Sequence, residues 1–282
     1  MSLHNTIPPI LIAKKFSQHA HNYNHVTPVQ QQMAERLIHY LALLEIPPQA
    51  TILEIGCGTG RLTNLLQKQY PKSKLIALDF AEKMLHVARY TIPQVHYILA
   101  DALKLPFVIR PYFDLIISNA TFQWIPHPHE IINYYQRILA PNGWFIFSTL
   151  GPKTFQELKA SFTYAYHQLG IPHQDHTVPF LSPSIWERIH WQSHMIRELI
   201  EIHYPDVKTF LYTIKKAGAS KPLSPSRILK REVYSLMMQY YQSHFPSRDG
   251  EGIRVSYDIA YIFIPANPTR KFNTRLIKSY IN

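Results

Sequence analysis

Three glycines at alternate positions form the stretch of this sequence with the clearest chemical use. Gly56, Gly58 and Gly60 follow an apolar run over residues 51–55 and precede a helical pattern of leucines. Such a loop turns tightly and presents the unpaired N–H groups of a helix N-terminus to a ligand. Dinucleotide-binding proteins use the spacing Gly-x-Gly-x-x-Gly, whereas this chain has Gly-x-Gly-x-Gly with Glu54 just before it. We therefore expect a different ligand; a glycine-rich turn without a ligand is the simpler alternative.

Three further polar residues stand where predicted strands end. Asp79 closes the second strand, Asp101 lies just past the third, and Asn119 follows the fourth. Ligands of open α/β sheets bind in the crevice outside the carboxyl ends of the strands, where the Asp79 carboxylate could accept both hydroxyls of a ribose. Each residue taken alone is explained as well by a helix cap or a turn. Their common position beside the glycine loop favours a single binding crevice.

The elements that would position these residues alternate regularly through the middle of the chain. Strands are predicted over residues 51–56, 74–79, 95–99, 113–118 and 143–149, and helices over 61–70, 81–91 and 128–139. Pro141, Asn142 and Gly143 predict a turn into the fifth strand. This alternation, with continuously apolar strands, indicates an α/β fold with a doubly wound, Rossmann-like, mostly parallel sheet.

The flanking regions predict helices on both sides of this core and two more strands. Residues 1–12 are expected to form a loose leader and 14–44 two helices, the second starting at Pro28 with Thr27 as its cap. Helices over 155–169, 184–194, 206–217 and 226–243, with strands over 197–203 and 253–264, would complete a seven-stranded sheet. We divide the chain into N-terminal helices (1–50), a ligand-binding core (51–150), a helical cap completing the sheet within the same domain (151–265) and a mobile basic tail (266–282).

The composition limits the environment and the partners. A net charge of +11 suits an acidic partner, such as nucleic acid, an anionic membrane surface or an acidic carrier protein, although a solvated basic surface is the alternative. Cys57 is the only cysteine, so no disulfide can form within the chain. The start lacks the features of a signal peptide, and no run approaches the roughly 20 apolar residues of a membrane span. The 16 histidines show no spacing typical of a metal site. We expect a cytoplasmic protein without metal or membrane.

Several stretches carry a resemblance to known proteins. The glycine loop with Glu54, Asp79 with Met84, and Asp101 resemble the successive S-adenosylmethionine (SAM) motifs of class I methyltransferases. Residues 15–17, 118–124, 148–152, 179–183 and 216–219 are similar to the malonyl-acyl-carrier-protein O-methyltransferases of biotin synthesis. This resemblance covers about residues 14–264. It implies a Rossmann-like core with an N-terminal helical lid and a helical insertion after the fifth strand, SAM as methyl donor, and malonyl-acyl carrier protein as substrate.

The resemblance also implies site residues. Those expected to bind the cofactor are Phe16, Tyr23, Glu54, Gly56, Gly58, Gly60, Asp79, Phe80, Met84, Asp101, Ala102 and Asn119. Among them, Asp101 would meet the adenine amino group, Asn119 would lie where the transferred methyl group emerges, and Phe16 and Tyr23 would belong to the lid, with plain helix packing as the alternative. The residues themselves, apart from the resemblance, suggest candidates for positioning the acceptor: Tyr23, Gln123, Trp124, Lys159 and Arg188, with core packing as the alternative for Trp124. A malonyl carboxylate is already ionised near pH 7, so no general base is expected.

Other classes of function compete with this resemblance. Nucleic-acid methyltransferases would explain the charge, but the amino-group enzymes need Asn/Asp-Pro-Pro-Tyr/Phe after the fourth strand, where this chain has Ser-Asn-Ala-Thr. Cytosine-C5 enzymes need a nucleophilic cysteine there, and Cys57 lies in the glycine loop instead. A small-molecule methyltransferase of quinone synthesis and an assembly factor related to complex I assembly proteins stay open.

The region after the sheet core departs from the family pattern. Residues 220–223 lack the glycine- and arginine-containing loop that the family often carries, and the basic tail is extra. Arg227, Lys230 and Arg231 would share one face of the helix predicted over 226–243. We expect this basic face to dock the acidic carrier protein, with a solvated helix face as the alternative.

Overall fold

The computed structural model describes residues 9–105, 113–125, 128–182, 185–186, 193–217 and 231–267. Its helices are α1 (Pro9–His19), α2 (Pro28–Leu41), α3 (Arg61–Gln69), α4 (Glu82–Thr91), α5 (Pro128–Arg137), α6 (Gln156–Gln168), α7 (Val207–Lys216) and α8 (Arg231–His244). Two 3₁₀ helices span Ala20–His25 and Phe122–Trp124. The strands are β1 (Thr51–Ile55), β2 (Lys74–Asp79), β3 (His96–Leu99), β4 (Phe113–Asn119), β5 (Leu139–Leu150), β6 (His194–Tyr204) and β7 (Ile253–Pro265).

The strands form a seven-stranded sheet in the order β3-β2-β1-β4-β5-β7-β6. The pairings β3–β2, β2–β1, β1–β4 and β4–β5 are all parallel. Ile52 and Leu53 of β1 are fully buried, because helices cover both faces of such a sheet. The predicted doubly wound, Rossmann-like fold is confirmed. The strand order reverses between β1 and β4, and this switch point is where such sheets bind ligands.

The predicted turn at residues 141–143 is wrong, because these residues lie inside β5. Phe113 pairs with Leu139, and the next pair joins Leu115 to Trp144, so residues 140–143 bulge out opposite a single residue of β4. A β-carbon on Gly143 would lie 2.7 Å from the Phe113 carbonyl oxygen, so the close approach of β4 requires glycine.

The N-terminal segment, by which we mean residues 9–41, differs from the prediction in two respects. Helix α1 begins at Pro9, within the stretch expected to be loose, since proline suits the first position of a helix. Its residue Ile12 is buried and contributes apolar packing. Thr27 precedes α2 as predicted, but its hydroxyl donates to the Tyr23 carbonyl at 2.7 Å instead of capping the helix.

By its contacts the chain divides into two compact units: Met1–Thr149 with Pro183–Ile196 and Ala260–Asn282, and Leu150–Ser182 with Arg197–Ile259. In the first unit, Tyr40 of α2 packs edge-on against the rings of Tyr261 and Phe263. No helix of the described residues is long and apolar enough to span a membrane.

The second unit has its own aromatic core and two buried carboxylates, those of Glu157 and Asp258. The ring of Phe155 packs against those of Phe210 and Tyr257. The buried Glu157 carboxylate accepts hydrogen bonds from the backbone N–H and the hydroxyl of Ser256. Several sequence predictions fall partly or wholly outside the described residues: residues 1–8 of the leader, most of the helix over 184–194, the loop at 220–223, the first turn of the helix over 226–243, and all but two residues of the tail over 266–282.

Candidate active site

A cleft lies at the switch point of the sheet, within the first unit. The cleft and its open mouth together hold about 700 Å³ of space, part of which is open solvent. Three parts of the chain line it: the N-terminal segment, the glycine loop with the start of α3, and the residues that follow β2 and β4. The lining residues are Phe16, Tyr23, Asn24, Gln30, Glu54, Gly56, Cys57, Gly58, Thr59, Arg61, Leu62, Asp79, Phe80, Met84, Asn119, Ala120, Thr121 and Trp124.

The three glycines of the loop have different uses. A β-carbon on Gly56 would overlap the side chain of Thr121, so the loop can approach β4 only without one. Gly58 has φ +55°, and no atom of the described residues lies within 4 Å of a β-carbon built there, so it faces open cleft. Gly60 is not part of the cleft lining. Its β-carbon would come within 3.1 Å of Ala88, so Gly60 serves the packing of the α3 N-terminus against α4.

Asp79, at the carboxyl end of β2, is the buried carboxylate that shapes the loop. Its Oδ2 accepts the N–H of Gly58 and its Oδ1 accepts the N–H of Ala81, both at 2.8 Å. Burial raises the pKa of Asp79 to about 6, although the hydrogen bonds from Ala81 and Gly58 oppose that shift. Asp79 is therefore mostly ionised at pH 7 and ready to accept further hydrogen bonds with its remaining lone pairs.

Glu54, at the end of β1, is more deeply buried. Thr63 Oγ1 of α3 donates to its Oε2 at 2.6 Å. Burial raises the pKa of Glu54 to about 8, and the negative charge of Asp79 adds to the shift, whereas the Thr63 bond opposes it. The side chain is thus mainly neutral at pH 7 in the ligand-free cleft. A bound cation would favour its ionised form.

Four aromatic side chains from separate elements form a wall of the cleft, which we call the aromatic wall: Phe16, Tyr23, Phe80 and Trp124. The Phe16 ring of α1 packs edge-on against Tyr23 at 5.9 Å, Phe80 at 6.5 Å and Trp124 at 5.7 Å between ring centroids. Phe16 also packs against the buried cluster of Ala20, Ala81 and Met84. Phe16 therefore both lines the cleft and packs α1 against that cluster. Burial raises the pKa of Tyr23 to about 12, so its hydroxyl stays protonated.

Asn119, at the end of β4, has its amide group engaged on both sides. Its Nδ2 donates to the Gln30 carbonyl of α2 at 2.9 Å, and its Oδ1 accepts from Ser148 Oγ at 2.7 Å. The next residue, Ala120, has φ 53°, a conformation that costs a non-glycine residue about 1–2 kcal/mol. Its N–H is held by Ser148 at 3.1 Å. The strained backbone beside Asn119 faces the cleft.

Some predicted site residues lie elsewhere. Asp101 and Ala102 are not among the described residues that line the cleft: the Asp101 carboxylate accepts the N–H of Leu103, and the Ala102 carbonyl accepts the hydroxyl of Tyr135. The binding of the cofactor by Asp101 and Ala102 stays a prediction. Gln123 lies beside Trp124, and its Oε1 is 3.5 Å from Thr149 Oγ1.

The remaining two acceptor candidates, Lys159 and Arg188, are not among the described residues of the first unit. Lys159 belongs to the second unit, where its Nζ donates to the Pro152 carbonyl at 2.8 Å and lies 5.8 Å from the centroid of the Phe180 ring. Burial lowers the pKa of Lys159. Arg188 lies outside the described residues. The role of each stays a prediction.

Sequence reasoning missed eight lining residues of the cleft: Asn24, Gln30, Cys57, Thr59, Arg61, Leu62, Ala120 and Thr121. Four of them flank glycines or Asn119, so a wider window around each motif would have included them. Asn24 and Gln30 have no local signal, because only the packing of the N-terminal segment brings them to the loop.

A family profile described as a methyltransferase domain matches residues 53–147. The chain is 36% identical over 274 residues to the malonyl-acyl-carrier-protein O-methyltransferase of Halalkalibacterium halodurans, covering 90% of this chain and 97% of that protein. It is 34% identical over 261 residues to the protein of the same name from Priestia megaterium, covering 88% of this chain and 94% of that protein.

Solved structures agree with the fold. The YcgJ protein of Bacillus subtilis matches with a TM-score of 0.54 at 17% identity, covering 80% of this chain and 97% of that one. The plantazolicin methyltransferase BpumL, solved with S-adenosylhomocysteine (SAH) and a triazolic desmethylPZN analogue, matches with a TM-score of 0.50 at 17% identity, covering 92% of this chain and 98% of that one. Since the sequence relatives match over nearly their whole lengths, the chain belongs to the malonyl-acyl-carrier-protein O-methyltransferase family of SAM-dependent methyltransferases.

Proposed function

We propose that this chain methylates the free carboxylate of a malonyl thioester on acyl carrier protein, and that the malonyl methyl ester primes the pimeloyl chain of biotin. One observation carries the proposal: the relatives of that name match about nine tenths of this chain. The match therefore extends well beyond residues 53–147, which any related methyltransferase shares. Two of the acceptor candidates, Lys159 and Arg188, lie outside that shared part.

The cleft has features that suit SAM. The open face of Gly58 leaves room for a ligand against the loop backbone, and the ionised Asp79 can accept hydrogen bonds from ribose hydroxyls. Glu54, Phe80 and Met84 line the same space. When bound, SAM supplies an electrophilic methyl group.

The chain's own residues then have to align the acceptor and exclude water. An ionised malonyl carboxylate needs no proton removed, so positioning can provide most of the acceleration. Trp124 and Tyr23 of the aromatic wall would shield the reacting atoms. Gln123, in the 3₁₀ helix Phe122–Trp124, would support the wall through its contact with Thr149 near the end of β5. Lys159 and Arg188 are the proposed cations for the acceptor carboxylate.

Mass spectrometry on purified components tests this function. With SAM and malonyl-acyl carrier protein, we expect one methyl group added to the malonyl moiety, and none added to acetyl-acyl carrier protein, which lacks the free carboxylate. Methylation of a quinone precursor alone would establish the small-molecule alternative. A folded protein that binds SAM but methylates neither would favour the assembly-factor alternative.

We further propose that the carrier docks on a basic groove of the second unit, lined by Lys208 of α7 and by Arg231, Tyr234 and Met238 of α8. Residues 231, 234, 235 and 238 recur at helical spacing and share one face of α8, while Val233, Met237 and Tyr241 are buried on another. No carboxylate of the described residues lines the groove. Of the predicted basic face, Arg227 and Lys230 lie outside the described residues.

Charge reversal tests the docking groove separately from the chemistry. Lys208→Glu with Arg231→Glu should raise KM for malonyl-acyl carrier protein at low salt, because steering by exposed charges is screened by salt. SAH affinity should not change. The control variant, Lys72→Glu with Lys74→Glu, alters two exposed lysines of the first unit. An equal KM for both double variants would show that this face of α8 is only solvated and does not dock the carrier.

A further inference from the structure

The N-terminal segment is tied directly to the ligand-binding loop by side-chain hydrogen bonds. Arg61, the first residue of α3, donates from Nη1 to the Thr27 carbonyl at 2.8 Å and from Nη2 to the Asn24 carbonyl at 2.7 Å. Thr59 Oγ1 of the glycine loop lies 2.7 Å from Asn24 Oδ1. All of these bonds lie within the first unit, and each joins residues that are distant in the sequence.

The two carbonyls held by Arg61 occupy a structural junction. Asn24 lies in the last turn of the 3₁₀ helix Ala20–His25, and Thr27 is the residue before α2. The Asn24 carbonyl is at the C-terminal end of the 3₁₀ helix and carries partial negative charge, which a cation stabilises. The Thr27 carbonyl also accepts the first backbone hydrogen bond of α2, from the N–H of Gln31 at 3.2 Å. The planar guanidinium can reach both carbonyls at once because its donors form a rigid fork. Arg61 therefore fixes the angle at which the 3₁₀ helix meets α2.

That junction determines where the aromatic wall stands. Tyr23 and Asn24 are consecutive residues that both line the cleft. The Tyr23 carbonyl accepts the Thr27 hydroxyl, so the Arg61 contacts and the backbone of Tyr23 belong to one bonded group. The Tyr23 ring in turn supports Phe16. Movement at the junction would displace the wall from the cleft.

We propose that Arg61 is a positioning residue that holds the N-terminal segment closed over the cleft before SAM binds. Because Arg61 directly follows Gly60 of the loop, occupation of the loop and closure of the segment are coupled. Asn119 adds a second attachment through the Gln30 carbonyl, at the opposite end of the junction. The coupling predicts that ligand binding protects the segment and that loss of Arg61 weakens ligand binding.

Hydrogen exchange on the full-length protein tests this role, with SAH as the probe ligand. Arg61→Met keeps the side-chain length but removes both bonds, whereas Arg61→Lys keeps the charge and can make only one well-aligned bond at a time. Arg89→Met is the matched control, since Arg89 donates to a single carbonyl, that of Tyr97, at 3.3 Å. Thermal unfolding of all three variants verifies that they fold.

In the ligand-free protein, Arg61→Met should raise exchange of the amides over residues 20–27 about tenfold, with Arg61→Lys intermediate and Arg89→Met unchanged. SAH affinity measured by calorimetry should fall about tenfold for Arg61→Met, less for Arg61→Lys, and not at all for Arg89→Met. If SAH affinity falls while ligand-free exchange stays as in the wild type, Arg61 contacts the ligand directly and the positioning role is refuted. Unchanged exchange and unchanged affinity would refute it as well.

Discussion

The assignment of the glycine loop as the SAM site can be tested most directly at Gly58. Substitution by alanine adds one methyl group to the loop. Apart from its two chain neighbours, no atom of the described residues lies within 4 Å of that position, so the methyl group overlaps no other described residue. It projects instead into the open cleft, where the ligand would lie. The structure therefore separates the effect on the ligand from the effect on packing.

The cost to stability follows from the backbone alone. Gly58 has φ +55°, and a residue with a β-carbon in this left-handed region costs about 1–2 kcal/mol. The lower entropy of the unfolded chain offsets about 0.4–1 kcal/mol of this cost. The expected loss of unfolding free energy is therefore on the order of 1 kcal/mol, which leaves the protein folded.

Gly170, which follows α6 in the second unit, provides a matched control. It has φ +61°, and again no atom of the described residues lies within 4 Å of its β-carbon position. Gly170→Ala should therefore destabilise the protein as much as Gly58→Ala does, without reaching the cleft. Calorimetry with SAH should show at least about a tenfold loss of affinity, or about 1.4 kcal/mol, for Gly58→Ala and none for Gly170→Ala.

The comparison of the two variants decides the result. If both unfold at the same temperature and bind SAH with equal affinity, the open face of Gly58 does not meet the ligand. The assignment of the loop as the SAM site would then be wrong. If Gly58→Ala is far less stable than Gly170→Ala, the added methyl group at position 58 clashes with the protein, and the loss of affinity no longer reports on the ligand.

Two further predictions concern buried carboxylates. The pKa of Asp79 is raised to about 6, so lowering the pH from 7 to 5 protonates it and should weaken SAM binding, whereas Asp79→Asn should bind more weakly and keep only the pH dependence that comes from Glu54; a wild-type affinity that is constant over this range would contradict the role of Asp79. In the second unit, Arg197 Nη2 contacts both oxygens of the buried Asp258 carboxylate at 3.0 and 3.1 Å, with 41% of the arginine side chain exposed. Denaturant unfolding should show a loss of about 1–2 kcal/mol for Arg197→Met, because the buried Asp258 carboxylate then loses this cation and keeps, among the described residues, only the hydrogen bond from the N–H of Lys153, and a smaller loss of no more than about 0.5 kcal/mol for Arg248→Met, whose side chain is 81% exposed and lies 3.5 Å from Glu201; equal losses would refute the argument.

The sequence alone determined the alternation of strands and helices through the core. The predicted bounds of β2 agree with the structure at both ends, and those of β1, β3 and β4 agree to within a residue. Apolar periodicity is local, and a strand buried on both faces has a composition that identifies it. The same local signal located Asp79 and Asn119 at strand ends, where the parallel sheet brings them to the cleft.

Only the tertiary structure decided how those residues are used. Asp101 follows a strand just as Asp79 does, yet its carboxylate bonds to the N–H of Leu103 within its own turn. Arg61 and Asn24 show no periodic or motif signal, although their contact joins the N-terminal segment to the loop. A hydrogen bond between residues far apart in the chain depends on how packed elements meet, and no local pattern of residue types contains that information.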